Sequence, residues 1–207
     1  MRQDGGVAVE LPALGEHRVI VNLPGYTVEE LLPACEILCQ EGFTTWALPI
    51  DRVGDLPALR AAFGRRARIA VSGVTQPADV RRAAAAGAVF AASNLLAPRL
   101  VKAVPDFPLI LAGLTPTELR TGLDAGAAAV QVFPAEAFTA EYAKTLPGVL
   151  GNPPLIATGR LTRSRASAWL ESGAVGVWPE GIFADQLAVD LFLDELRGEI
   201  QSWRLSD

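Results

Sequence analysis

The stretch TPTELRTGLDAGAAAVQVFPAEAF, residues 115–138, reads as a helix, its stop and a buried strand in immediate succession. Thr115 suits the N-cap, Pro116 the first helical position, and Glu118 closes a capping box by reaching back to the cap backbone. Gly126 suits the left-handed position that ends a helix. AAAVQVF (127–133) is then continuously apolar except for one amide, Gln131. Such a strand belongs in a parallel sheet covered on both faces.

The same unit recurs along the chain. RVIVNL (18–23), FTTWALPI (43–50), RIAVSG (68–73), AVFAAS (88–93), PLILAGL (108–114), AAAVQVF (127–133), PPLIATG (153–159) and AVGVW (174–178) read as strands. Helical stretches follow each of them: 27–42, 56–64, 77–87, 95–104, 115–126, 139–146, 164–173 and 183–203. The first opens with a second capping box, Thr27 with Glu30. Gly42, Gly87, Gly126 and Gly173 each stop a helix just before a strand. Eight βα units predict a single (β/α)8 barrel across residues 1–207, with 1–17 as an N-terminal lead-in. An open doubly wound sheet is the alternative architecture.

Composition narrows the function classes. The chain has 207 residues, 50% of them apolar, a mean hydropathy of +0.28 and a formal charge of −5. With arginines in short clusters only (65, 66 and 68; 81 and 82), it has no basic stripe for nucleic acid. The longest apolar stretch, AAAAGAVFAA (83–92), falls short of the ~20 residues a membrane span needs. Residues 1–17 lack the apolar run of a signal peptide, so a soluble, cytoplasmic protein is expected. Cys35 and Cys39 lie on one helical face and read as small buried hydrophobes rather than a redox or metal pair.

In a barrel, the active region lies at the C-terminal strand ends. The polar residues there are Asn22, Asp51, Ser72, Ser93, Asn94, Thr115, Gln131, Glu136, Thr158, Arg160 and Glu180. Strand alternation puts Gln131 and Phe133 on one face and Val130 and Val132 on the other. If the first face is the lumen, Gln131 lies inside the barrel near its mouth.

TPTEL (115–119), QVFPAEAF (131–138) and ATGRL (157–161), in this order and spacing, resemble the 2-keto-3-deoxy-6-phosphogluconate and 4-hydroxy-2-oxoglutarate aldolase family. The likeness runs from RVIVNL through the final helix. It implies a homotrimeric (β/α)8 barrel that cleaves a 2-keto acid to pyruvate and an aldehyde through a Schiff base on a lysine. No separate cofactor is expected.

The lysine position of that pattern, roughly KLFPA, falls on Gln131. An amide cannot form a Schiff base, which needs a deprotonated primary amine. The two lysines, Lys102 and Lys144, fall on outer helices. The family's acid–base Glu falls on Ala47, the Arg that contacts the substrate carboxylate on Asp51, a Thr on Gly73, and a Pro on Asn94. Its glycine-rich PTGG and GGS become ATGR and GVW, where Arg160 and Trp178 crowd the approach to a backbone phosphate site. Arg160 also offers an anion contact of its own. Phe133, Pro134, Ala135, Thr158 and Gly159 survive, but each also has a purely structural explanation.

Three functional readings follow. In the first, the protein has lost Schiff-base catalysis, and Gln131, Asn94, Phe133, Thr158, Gly159, Arg160 and Ser72 surround a mouth pocket. That pocket would hold a small keto or hydroxy acid or other metabolite, or the chain would serve as an assembly or regulatory subunit. In the second, an active aldehyde-lyase polarises its substrate with a divalent metal on Asp51, Glu136 and Glu180, which are hard oxygen ligands. The only histidine, His17, precedes the first strand and falls at the wrong end of the barrel to help. The third is a conventional aldolase with its amine elsewhere.

Overall fold

The computed structural model describes residues 9–183 and 193–205. Eight parallel strands pair in chain order: β1 Ile20–Asn22, β2 Thr45–Pro49, β3 Arg68–Ser72, β4 Ala91–Ser93, β5 Leu109–Gly113, β6 Ala129–Val132, β7 Leu155–Gly159 and β8 Gly176–Pro179. A bridge between Val19 and Val177, with Val177 N–H donating to Arg18 O at 2.9 Å, joins the last strand to the first. The chain is therefore a (β/α)8 barrel rather than an open sheet.

The helices are α1 Val28–Gln40, α2 Leu56–Phe63, α3 Pro77–Ala86, α4 Pro116–Asp124, α5 Ala140–Leu150, α6 Arg163–Glu171 and α7 Leu193–Ser202. Both expected capping boxes form: Glu30 with Thr27, and Glu118 with Thr115. Gly42, Gly87, Gly126 and Gly173 all have φ between 83° and 99°, the left-handed geometry that a β-carbon disfavours.

Three expected elements differ. The stretch 95–104 is not an α-helix but a 3₁₀ helix, Pro98–Ala103. Ala97 has no side chain to cap it, and Pro105 forces Val104 into an extended conformation, so the segment is too short to settle into α geometry. Helix α5 continues past the expected end at residue 146, through Pro147, to a left-handed Gly151. The second strand stops at Pro49, and Ile50–Asp55 turns into a 3₁₀ segment. The part of the last expected helix over 184–192 lies outside the described residues.

Alternation along the strands divides the core in two. Val21, Leu48, Val71, Leu111, Val130, Val132 and Val177 face outward and pack under the helices. The lumen is filled by Ile20, Ala47, Ala70, Phe90, Ala92, Ile110, Ala129, Ile156 and Trp178. Four alanines leave the space that the larger side chains occupy, the size alternation by which a small barrel fills its interior. Leu14 of the lead-in plugs the N-terminal end, where Thr45 Oγ1 donates to Leu14 O at 2.7 Å. His17 packs on Phe43 and meets Glu41 O at 3.0 Å at that same end, remote from the mouth.

Candidate functional site

Gln131 is fully buried on the lumen face of β6, between Ala112 of β5 and Ile156 of β7 in register. Its amide spans three strands. Nε2 donates to Ser93 O at 2.9 Å and to Asn94 Oδ1 at 3.0 Å, and Oε1 accepts from Thr158 Oγ1 at 2.7 Å. Both amide hydrogens are used and the oxygen is engaged, so this buried polar group is satisfied by the protein itself.

Above it opens a cavity of about 340 Å³. Asn22, Ser72, Asn94, Thr158 and Glu180 supply its polar wall, and Leu23, Pro49 and Trp178 its apolar one. The structure therefore brings together Ser72, Asn94 and Thr158 of the expected set, with Gln131 beneath them. Phe133 is half-buried just beyond the strand, and neither it, Gly159 nor Arg160 lines the cavity.

Trp178 is the largest side chain at the mouth. It is 3% exposed, its Nε1–H donates to Asn22 Oδ1 at 2.9 Å, and its ring meets Phe90 edge-on at 6.3 Å. The Trp178–Asn22 pair forms a wall of the pocket that the expected site omitted. The signal was present, since position 178 has lumen parity and Asn22 ends β1. Only closure of β8 against β1 makes the two neighbours.

The turn after β7 has its own anion. Gly159 has φ 140°, and a β-carbon on it would lie 2.1 Å from Glu136 Oε2. That oxygen accepts the Arg160 N–H at 3.0 Å, while Arg160 Nε reaches Glu136 Oε1 at 3.4 Å. Arg160 is otherwise 81% exposed. Glu136 is thus a partner of the turn, Glu180 borders the cavity, and Asp51 is exposed on the 3₁₀ segment after β2. Among the described residues, no group of three or more His, Cys, Asp or Glu side chains could hold a metal.

Both lysines are exposed, Lys102 on the 3₁₀ helix after β4 and Lys144 on α5. Ala47 is fully buried in the lumen. Cys35 is buried in α1, where burial pushes its thiol up to about 12, and Cys39 beside it is half-buried. No helix among the described residues is long and apolar enough to cross a membrane.

Comparison with known proteins agrees with this architecture. The chain is 29% identical over 164 residues to 2-dehydro-3-deoxy-6-phosphogalactonate aldolase of Escherichia coli (strain K12), covering 76% of this chain and 80% of that protein. A solved native KDPGal structure superposes with a TM-score of 0.79 at 23% identity, covering 89% of this chain and 91% of the other. KDPG aldolase from Legionella pneumophila, solved with pyruvate as a covalent carbinolamine intermediate, superposes with a TM-score of 0.76 at 22% identity over 94% and 96%. The family described as KDPG and KHG aldolase matches residues 13–189, and the chain belongs to it.

Proposed function

We infer that this member of the aldolase family does not carry out Schiff-base aldol cleavage and uses the barrel mouth to bind a small metabolite. The observation that carries the reading is the state of position 131. A carbinolamine requires a primary amine in the lumen, and the side chain at the strand-six position is a buried amide with every hydrogen committed. Lys102 and Lys144 are exposed on outer elements, and arginine stays charged and cannot replace them. Ala47 offers no proton-transfer group. Asn94, Ser72 and Thr158 present polar atoms to the cavity. We also propose a soluble, cytoplasmic homotrimer, a reading that family membership supports, and a single domain with residues 1–17 as its lead-in.

Pyruvate release from 2-keto-3-deoxy-6-phosphogluconate and from 4-hydroxy-2-oxoglutarate, coupled to NADH oxidation with and without a chelator, tests this directly. No turnover is expected on either substrate. Borohydride in the presence of pyruvate should leave the intact mass of the protein unchanged. Chelator-sensitive turnover would replace this reading with metal-assisted cleavage. Chelator-indifferent turnover with a borohydride-trapped adduct would establish an amine elsewhere.

A further inference from the structure

We propose that the barrel mouth binds an uncharged polyhydroxy compound and discriminates against carboxylates and phosphates. This rests on the binding reading above and narrows it away from the keto and hydroxy acids.

Charge is the first argument. Among the described residues lining the cavity, one is ionisable, and it is an acid, Glu180. The nearby cation, Arg160, is turned out to solvent and paired with Glu136. The Arg160 backbone N–H, a donor in the turn just past the cavity-lining Thr158, is occupied by Glu136 Oε2 at 3.0 Å. The same carboxylate fills the space left by the missing β-carbon of Gly159. Glu136 is therefore a built-in anion in the turn, and an incoming phosphate or carboxylate finds that place taken and Glu180 opposing it.

Hydrogen-bond chemistry is the second. Asn22 gives its oxygen to Trp178 and Asn94 gives its oxygen to Gln131, so the NH₂ groups are the donors that these two lining side chains have left to offer. Thr158 spends its hydroxyl hydrogen on Gln131 and keeps acceptor capacity, as does the Glu180 carboxylate. The Ser72 hydroxyl donates to Leu48 O at 3.4 Å and keeps acceptor capacity. A wall that alternates donors and acceptors matches hydroxyl groups, which are both at once; an ionised carboxylate is acceptor-only and leaves the Thr158 and Glu180 lone pairs unmatched. Trp178, Pro49 and Leu23 supply an apolar side for C–H faces.

The test uses three open-chain probes of one carbon skeleton: glucitol, gluconate and glucitol 6-phosphate. Each is titrated into the full-length protein at low salt by saturation-transfer NMR. Saturable glucitol binding is expected, with gluconate and glucitol 6-phosphate at least about tenfold weaker. Ser72→Leu, which fills the mouth, should abolish the glucitol signal with circular dichroism unchanged. Glu180→Gln keeps one acceptor oxygen but removes the charge, so it should bring gluconate to within about twofold of glucitol. Gluconate or the phosphate binding as tightly as glucitol overturns the charge discrimination and leaves the metabolite-binding reading standing. Silence from all three probes overturns both. Glucitol bound equally by folded Ser72→Leu places the site elsewhere and overturns this assignment, and a persistent gap in Glu180→Gln removes the role given to that carboxylate.

Discussion

Thr158 Oγ1 donates to Gln131 Oε1 at 2.7 Å across the β6–β7 pair, and this bond joins the floor of the mouth cavity to its wall. Through the Gln131 amide it continues to Ser93 O and Asn94 Oδ1 at the end of β4. The arrangement holds three strand ends together beneath the cavity.

Breaking this network should cost stability out of proportion to the volume changed. Gln131→Met preserves length but leaves the Ser93 carbonyl and the Thr158 hydroxyl without their buried partner. A loss of about 2–3 kcal/mol is expected in urea unfolding. Thr158→Val should cost about 1 kcal/mol, and the double variant less than the sum, with a coupling of ~1 kcal/mol. Additive losses would mean that the two side chains do not act together.

Gln131→Lys should not restore efficient aldol cleavage. The new amine would sit fully buried against Ser93 O and Asn94 Oδ1, and Ala47 supplies no acid–base group to relay protons. Pyruvate release by this variant should stay at or near background in the coupled assay. Robust turnover would refute the account of the site.

The buried Glu41 predicts a specific acid limb in the stability curve. It follows α1 and is 5% exposed; it pairs with Arg197 and Arg204 and accepts from Gln201 Nε2 at 3.1 Å, tying α7 to the barrel. Burial by itself would raise its pKa. The Gln201 and Arg197 hydrogen bonds and the two arginine charges outweigh burial and hold the carboxyl below its ordinary 4.5. Because the folded value is the lower one, the stabilisation is fully present above the unfolded value near 4.5 and is lost as pH falls through the folded value. Glu41→Gln should cost about 1 kcal/mol at neutral pH, because the arginines left behind are 36% and 49% exposed, and should flatten the loss of stability below pH 4.5. Parallel pH profiles for the two proteins would contradict this.

Gly159→Ala should be costly for two separable reasons. The new methyl would sit 2.1 Å from Glu136 Oε2, and φ 140° is strained for any side chain. A loss of ~2 kcal/mol or more is expected in thermal or chemical unfolding. Glu136→Ala in the same chain removes the clash and leaves the strain, so it should recover part of that loss and not all. Full recovery would show that the backbone strain counts for nothing.

Much of the fold was legible in the residues. The Thr27 and Thr115 capping boxes, the four left-handed glycines and the apolar strands are local signals, each decided by chemistry within a few positions. The failures were local conflicts. At 95–104 the helical composition lost to an uncapped start and to Pro105, and in α5 the packing of Ala143, Leu146 and Leu150 carried the helix through Pro147.

For the site, the sequence by itself determined that strand six carries an amide, Gln131, in an otherwise apolar run, that both lysines lie outside the strands, and that strand two carries an alanine at position 47. It also put Ser72, Asn94, Gln131 and Thr158 at one end of the barrel. What only the tertiary structure decided is how those groups are spent: that Gln131 is satisfied by β4 and β7, that Trp178 is latched to Asn22, and that Glu136 fills the turn at Gly159. The reason is physical. Strand alternation assigns a side chain to a face from its own neighbours, whereas hydrogen-bond partners 24 to 156 residues apart are set by barrel closure and register, which no local window contains.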